Sequence, residues 1–202
     1  PDHIRNVALV GHSGAGKTQL ASALLFSTGA ANRLGLVDDG TTVTDFDDEE
    51  IARRHTLSAG TAFAEWNKTK INLIDTPGMA NFFSDARAAL GVCDAALLIV
   101  DAVAGVEVQT EKMWTCTEEL GMPCLVILNR LDRDRASLNR SLASLRQVFS
   151  RMVIPIQIPI GEESAFRGVV DLVSMKALTF QTDGGGKLTA SEVPPDLAET
   201  AK

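Results

Sequence analysis

A glycine-rich loop directly after an apolar run constrains this chain more than any other feature. Val7-Ala8-Leu9-Val10 predicts a buried strand, and the loop that follows has the pattern G-x-x-x-x-G-K-T. The glycines let the backbone wrap closely around phosphate groups, whose charge favours backbone N–H groups and a helix N-terminus. The candidate phosphate contacts are Gly11, His12, Ser13, Gly14, Ala15, Gly16, Lys17 and Thr18.

Two side chains of this loop have expected roles of their own. Lys17 is expected to reach the β- and γ-phosphates of a nucleotide, and the Thr18 hydroxyl to bind Mg²⁺. A helix is predicted over 17–28, where small or apolar residues recur at helical spacing at Leu20, Ala23, Leu24 and Ser27. The strand before the loop and the helix after it argue against the alternative, a glycine-rich turn without a ligand.

A second motif, Asp75-Thr76-Pro77-Gly78, ends the apolar run that begins at Lys70. We expect Asp75 to hold Mg²⁺, through water, and the N–H of Gly78 to contact the γ-phosphate. Loss of that contact on hydrolysis would make residues 76–83 a switch. The same residues also suit an ordinary turn, but their place behind a phosphate loop favours the switch.

A third motif, Asn129-Arg130-Leu131-Asp132, follows the apolar run that begins at Cys124. A carboxylate accepts two parallel hydrogen bonds from one edge of guanine, which adenine does not offer, and Asp132 is the candidate. Asn129 is expected to tie the segment to the phosphate loop. Arg130 would lie against the base, where Lys is usual, and keeps the stacking ability. A plain polar loop is the alternative.

The order of elements predicts an alternating α/β domain followed by a change of pattern after Pro155. The strands at 61–67 and 70–75 are expected to pair antiparallel through a tight turn, and the others to be parallel. Residues 30–60 predict a long functional loop. Strands are predicted near 4–10, 61–67, 70–75, 95–101, 123–129, 156–160, 167–170 and 176–181, and helices near 17–28, 81–91, 108–120 and 137–150, with a turn at 183–186 and a helix start at 194–196.

These motifs resemble the guanine-nucleotide domain of translational GTPases, specifically the elongation factor G group and its elongation factor G-like branch. Asp75–Phe82, Val100–Thr110 and Pro159–Ala177 carry the resemblance, which covers nearly all of the chain. It implies a P-loop GTPase domain with a mostly parallel twisted sheet flanked by helices, plus the start of an inserted α+β subdomain. It also implies that Thr56 is a first-switch residue whose hydroxyl reaches Mg²⁺ and whose N–H reaches the γ-phosphate.

The resemblance further implies a domain organisation. Residues 1–154 would form the GTPase core, with its last strand and helix expected to be absent, and 155–202 a partial insert subdomain. Ser164-Ala165-Phe166 is either a guanine-supporting motif, being 32 residues after Asp132, or part of the insert. The resemblance favours the insert.

Two departures from the family pattern bear on catalysis. Met79 stands where the family has a His that positions the attacking water, and a thioether is at best a weak acceptor. Gly14 stands where the family often has Asp. Slow hydrolysis with intact binding is therefore expected, with Lys17, Thr56 and Met79 at the reacting centre. The alternatives are that the ribosome supplies what is missing, that another residue substitutes, or that the domain senses GTP against GDP without hydrolysing it.

Composition limits the partners. The formal net charge of −7 and pI near 5.0 argue against strong free nucleic-acid binding by this domain. No membrane-length apolar run is present, and the three cysteines have no metal spacing, which predicts a cytoplasmic protein with reduced thiols. The expected cofactors are GTP/GDP and Mg²⁺, and the resemblance implies that the full-length protein acts on the ribosome.

Overall fold

The computed structural model describes residues 2–149, 153–180 and 188–201. Contacts divide the chain into two compact units, one made of 2–101 and 106–129 and the other of 102–105 and 130 onward. The change of unit thus falls between Asn129 and Arg130. The expected domain boundary between 154 and 155 stays a prediction.

The first unit is built on a five-stranded sheet with helices between the strands. Its strands are β1 (Ile4–Gly11), β2 (Gly60–Trp66), β3 (Thr69–Asp75), β4 (Ala95–Asp101) and β5 (Cys124–Asn129). Its helices are α1 (Lys17–Ser27), α2 (Asp48–Arg53), α3 (Phe83–Leu90) and α4 (Val108–Glu119), with a 3₁₀ turn at Ala80–Phe82.

The sheet has the order β2-β3-β1-β4-β5 and is parallel except at one edge. There β2 and β3 form the expected antiparallel hairpin. Its turn places Asn67 and Lys68 at φ 47° and 62°, the left-handed conformation that a two-residue hairpin turn requires. The prediction of a mostly parallel sheet with one antiparallel pair is confirmed, and the carboxyl ends of β1, β3 and β5 carry the three motifs.

The buried face of α1 is not made of the small and apolar residues that the helical spacing groups together. Ala21, Ser22 and Leu25 are buried, whereas Leu20 and Leu24 are only partly so and Ser27 is exposed. The reason lies in the first turn, where Lys17 and Thr18 already face inward. Positions at i+3, i+4 and i+7 from Thr18 then share that face. The phosphate loop, not the apolar pattern, sets the rotation of the helix.

The second unit contains one helix, α5 (Leu138–Val148), and a four-stranded antiparallel sheet within its described residues. The strands run in chain order as β6 (Gln157–Ile160), β7 (Gly168–Asp171), β8 (Lys176–Phe180) and β9 (Leu188–Ser191). The small hydrophobic core of this unit includes Ile158, Ile160 and Val170. The expected turn at 183–186 lies outside the described residues.

The predicted helix start at 194–196 is wrong within the described residues. Residues 195–201 form consecutive turns. Leu197 N donates to Pro194 O and Ala198 N to Pro195 O, both three residues back, and only Ala201 N bonds four residues back, to Leu197 O. Bonds three residues back close turns, and the single bond four residues back does not continue as a helical ladder. No helix in the described part of the chain is long and apolar enough to span a bilayer.

Candidate functional site

The phosphate loop depends on glycine at three positions. Gly11, Gly14 and Gly16 have φ of 142°, 79° and 98°, a region that other residues rarely adopt. A Cβ on Gly11 would also collide with the carbonyl oxygen of Ile99 in β4, and one on Gly16 with the side-chain amide of Asn129. The loop is thus held against β4 and β5 at points where no side chain fits.

Lys17 lies deep inside this loop. Its Nζ donates to the carbonyl oxygens of Gly11 at 3.2 Å and His12 at 3.0 Å. Burial lowers the pKa of Lys17 to about 8, although the carboxylates of Asp75 and Asp45 oppose the shift. Among the described residues, the partners of the Lys17 ammonium group are carbonyl oxygens and more distant carboxylates. This buried cation is therefore suited to bind an anionic ligand.

Asp75, at the end of β3, lies at the centre of a group of threonine hydroxyls. Its Oδ2 accepts from Thr44 Oγ1 at 2.9 Å. Its Oδ1 is buried with no hydrogen-bond partner among the described residues. Burial raises the pKa of Asp75 to about 6, and the hydroxyls of Thr18 and Thr44 and the ammonium of Lys17 oppose the rise.

Thr18 and Thr56 come together beside Asp75. Their hydroxyl oxygens are 3.0 Å apart, and Thr56 Oγ1 also donates to Asp45 Oδ1 at 2.9 Å. All four side chains are buried. Burial raises the pKa of Asp45 above its ordinary range, opposed by its hydrogen bond from Thr56. The expected metal residues Thr18, Thr56 and Asp75 therefore occupy one place.

This donor set fits Mg²⁺. Two hydroxyl oxygens and a buried carboxylate with an unused oxygen are hard ligands, and Mg²⁺ is usually held by one or two carboxylates together with substrate phosphates. The described residues contain no group of three or more His, Cys, Asp or Glu that could hold a metal by themselves.

The segment after Asp75 packs directly on the phosphate loop. Thr76 Oγ1 donates to Leu9 O in β1 at 2.7 Å and fixes the start of the segment. A Cβ on Gly78 would collide with Lys17 Nζ and would lie 2.7 Å from Ser13 N. Met79 follows, half-buried, just before the 3₁₀ turn. A change in phosphates bound by this loop would therefore act directly on Gly78.

His12 contacts the chain outside the phosphate loop as well as within it. Its Nε2 lies 3.5 Å from Glu107 Oε1, at the start of α4, and its Nδ1 is buried without a hydrogen-bond partner in the described part of the chain. Its carbonyl is one of the two that receive Lys17. The backbone of His12 thus belongs to the phosphate site, and its imidazole connects the loop to α4.

The guanine segment begins in the first unit and continues in the second. Asn129 Nδ2 donates to Ala15 O at 2.8 Å, which ties the end of β5 to the phosphate loop. Arg130 has a φ of 63° and starts a turn closed by the Arg133 N to Arg130 O bond. Asp132 lies exposed in that turn. The guanine contacts of Arg130 and Asp132 stay predictions.

Ser164 and Ala165 lie in a 3₁₀ turn, Glu163–Ala165, between β6 and β7. Both strands belong to the antiparallel sheet, whereas the three nucleotide motifs follow strands of the parallel sheet. This placement favours assigning the pair to the insert.

Thr44 and Asp45 are residues of this site that the sequence patterns did not identify. They lie 12 and 11 residues before Thr56, in a stretch without periodicity. Their contacts with Asp75 and Thr56 arise from the path of the loop, for which the sequence offers only an acidic cluster ending at Glu50 as a signal.

The site combines the glycine-rich phosphate loop, the buried Lys17 and the group of Asp75, Thr18 and Thr56 at the carboxyl ends of parallel strands. These features define a P-loop nucleotide-binding domain. The family model described as "Elongation factor Tu GTP binding domain" matches residues 2–190. The chain belongs to this family of GTP-binding domains.

Similar proteins include translation factors from several organisms. The chain is 40% identical to Elongation factor G 2 of Streptomyces coelicolor, over 98% of this chain and 29% of that protein. It is 37% identical to Elongation factor G of Granulibacter bethesdensis, over 99% of this chain and 29% of the relative. It is 38% identical to the mitochondrial Ribosome-releasing factor 2 of Debaryomyces hansenii, over 94% and 23%.

A solved structure shares the fold along the whole chain. A crystal structure of a protein from Thermus thermophilus superimposes with a TM-score of 0.92 at 39% identity and covers 100% of this chain. This chain spans 30% of that one and less than a third of the length of the relatives above.

Proposed function

We propose that this domain binds GTP and GDP with Mg²⁺ and changes conformation with the state of the nucleotide. The observation that carries the proposal is the convergence of Lys17, Thr18, Thr56 and Asp75 at one buried place beside the phosphate loop. Lys17 would hold the β- and γ-phosphates, and the other three would hold the metal. Bound Mg²⁺ would neutralise phosphate charge there.

The two switch segments would respond to the presence of the γ-phosphate. Thr56 already contacts Thr18, so the first switch lies next to the metal residues. Gly78 touches Lys17 and Ser13 and brings the second switch to the phosphate loop. A ligand that differs by one phosphate then acts on both segments at once.

We propose that the larger protein containing this domain is an elongation factor G-like factor that acts on the ribosome. Support comes from the relatives named elongation factor G and ribosome-releasing factor. The net charge of −7 gives the domain no basic footprint of its own, so we assign ribosome contact to the full-length protein. A cytoplasmic location stays a prediction, and one relative is named as mitochondrial.

Hydrolysis by this domain is proposed to be slow. Met79 offers a thioether where water must be oriented, and Gly14 offers no carboxylate beside the phosphates. Phosphoryl transfer depends on positioning and electrostatics, so these two changes would affect the reaction more than binding. The second candidate function, a module that senses GTP against GDP without turnover, is favoured by the same two residues, Met79 and Gly14.

Single-turnover GTP hydrolysis separates the two functions. The longer protein is measured with and without ribosomes, as wild type and as Met79→His. Water-positioning groups contribute about 10²–10⁴-fold, so Met79→His is expected to raise the rate within that range. A wild type that is strongly stimulated by ribosomes, with no gain from Met79→His, would show that another group positions the water.

A further inference from the structure

Glu50 contacts the chain on both sides of Thr56. It is the third residue of α2 and is only 1% exposed. Its carboxylate Oε1 accepts from Leu57 N at 2.8 Å and from Ser58 N at 3.1 Å. Its main-chain oxygen accepts from His55 N at 3.2 Å. One residue thus fixes the backbone immediately before and after Thr56.

The direction of the Thr56 hydroxyl depends on that backbone. Thr56 Oγ1 lies 3.0 Å from Thr18 Oγ1 and 2.9 Å from Asp45 Oδ1. Threonine is stiff at χ1, so the orientation of its hydroxyl follows that of its backbone. Release of Leu57 and Ser58 would therefore turn the hydroxyl away from Thr18.

The helix that carries Glu50 is fixed at both ends. Asp47 caps its start by accepting from Glu49 N at 2.8 Å. Arg54 ends it in the left-handed conformation, at φ 55°, which reverses the chain toward Thr56. The short helix therefore acts as a rigid base from which the Glu50 carboxylate reaches the following loop.

Stability alone does not account for a carboxylate at this place. Glu50 Oε2 is buried and has no hydrogen-bond partner among the described residues. A buried polar group with an unsatisfied oxygen costs free energy that two backbone hydrogen bonds offset only in part. The contacts of Glu50 are instead concentrated on the segment that presents Thr56.

We propose that Glu50 is the positioning residue for Thr56, and through it for Mg²⁺ and the γ-phosphate in the GTP state. The inference rests on the proposed function of the domain. Because Thr56 is assigned to the metal and the third phosphate, Glu50 acts on the GTP complex and not on the GDP complex. It does not touch the nucleotide itself.

Four variants test this role. Glu50→Ala and Glu50→Met remove the acceptor, the second with little change in volume. Glu50→Gln keeps one acceptor oxygen for Leu57 and Ser58. Glu49→Ala is the matched control, because Glu49 is an exposed neighbour on the same helix that pairs with Arg53. Fluorescent GDP and a non-hydrolysable GTP analogue are titrated against each, and Mg²⁺ is titrated against the analogue complex.

The expected result is a selective loss. Glu50→Ala and Glu50→Met weaken the analogue at least about 10-fold relative to GDP and raise the Mg²⁺ half-saturation of its complex, as loss of two buried hydrogen bonds predicts. Glu50→Gln and Glu49→Ala stay close to wild type. Equal weakening of both nucleotides, or a Glu50→Gln variant as weak as Glu50→Ala, would overturn the proposal.

Hydrogen exchange on the wild type provides a test that needs no folded variant. The amides of Leu57 and Ser58 are expected to be protected at least about 10-fold in the nucleotide-free chain, because Glu50 already binds them. Unprotected exchange would overturn the positioning role. A wild type that binds neither nucleotide would instead overturn the proposed function, and the role of Glu50 with it.

Discussion

Asp75 and Lys17 carry opposite charges that burial disfavours. Burial raises the pKa of Asp75 from 3.8 to about 6 and lowers that of Lys17 from 10.5 to about 8. Without a ligand, each ionised group therefore destabilises the fold. A phosphate would favour the charged Lys17 and a cation the charged Asp75, so the binding of a nucleotide with its metal relieves both penalties.

The pH dependence of the free energy of unfolding should show that burial raises the pKa of the Asp75 carboxyl. Below pH 3.8 it is protonated in both states, whereas between 3.8 and 6 the folded state holds the proton more tightly. The stability that Asp75 contributes is thus present at low pH and lost as pH rises through 6. We expect the free energy of unfolding of the nucleotide-free wild type, minus that of Asp75→Asn, to fall by about 2 kcal/mol from pH 4 to 7.

Urea denaturation at each pH provides this difference, in which the titrating groups that do not interact with Asp75 cancel. A difference that is constant or rises over the same range would mean that the carboxyl is not held protonated by burial.

Gly78 is expected to tolerate no side chain. A Cβ there would collide with Lys17 Nζ and crowd Ser13 N, so Gly78→Ala should lower the free energy of unfolding by about 1–3 kcal/mol. Gly91→Ala is the matched control, since its Cβ would meet nothing nearer than Ala88 O at 3.3 Å. Denaturant unfolding of both nucleotide-free variants makes the comparison. Equal effects of the two substitutions would show that Gly78 is not packed on the loop.

At the scale of elements, the cap of α2 determines how firmly the first switch is held. Asp47 accepts from Glu49 N, and Asp47→Ala should cost about 1 kcal/mol of helix stability, or about fivefold more opening. Trypsin cleavage after the exposed Arg53 and Arg54 should accelerate by that factor. Asp48→Ala, which removes the same charge one residue later, controls for the helix dipole. Equal acceleration in both variants would assign the effect to charge and not to the cap.

The sequence predicts elements best where one local rule determines them. The hairpin of β2 and β3 is found where expected because its turn is short and its strands adjoin in sequence. The buried face of α1 does not follow the apolar spacing, because Lys17 and Thr18 turn inward toward the loop. The helix start at 194–196 is not found because the amides that follow the prolines bond three residues back and close turns.

At the scale of the whole first unit, the fold explains why the sequence predicts some residues of the site and not others. Parallel strands end at the same edge of a sheet, so motifs after β1, β3 and β5 must meet. Thr44 and Asp45 reach the site only through a loop that connects no two adjacent strands. Such contacts depend on the path of the chain and leave no spacing in the sequence.

The choice of guanine over adenine tests the central claim most directly. Fluorescent GDP with Mg²⁺ is bound to the full chain and competed with unlabelled GDP and ATP, for the wild type, Asp132→Ala and the control Asp134→Ala, which removes an exposed carboxylate nearby. We expect GDP but not ATP to compete, and Asp132→Ala alone to weaken GDP by about 1.5–3 kcal/mol. Equal competition by ATP, or unchanged GDP binding in Asp132→Ala, would contradict a guanine-nucleotide switch.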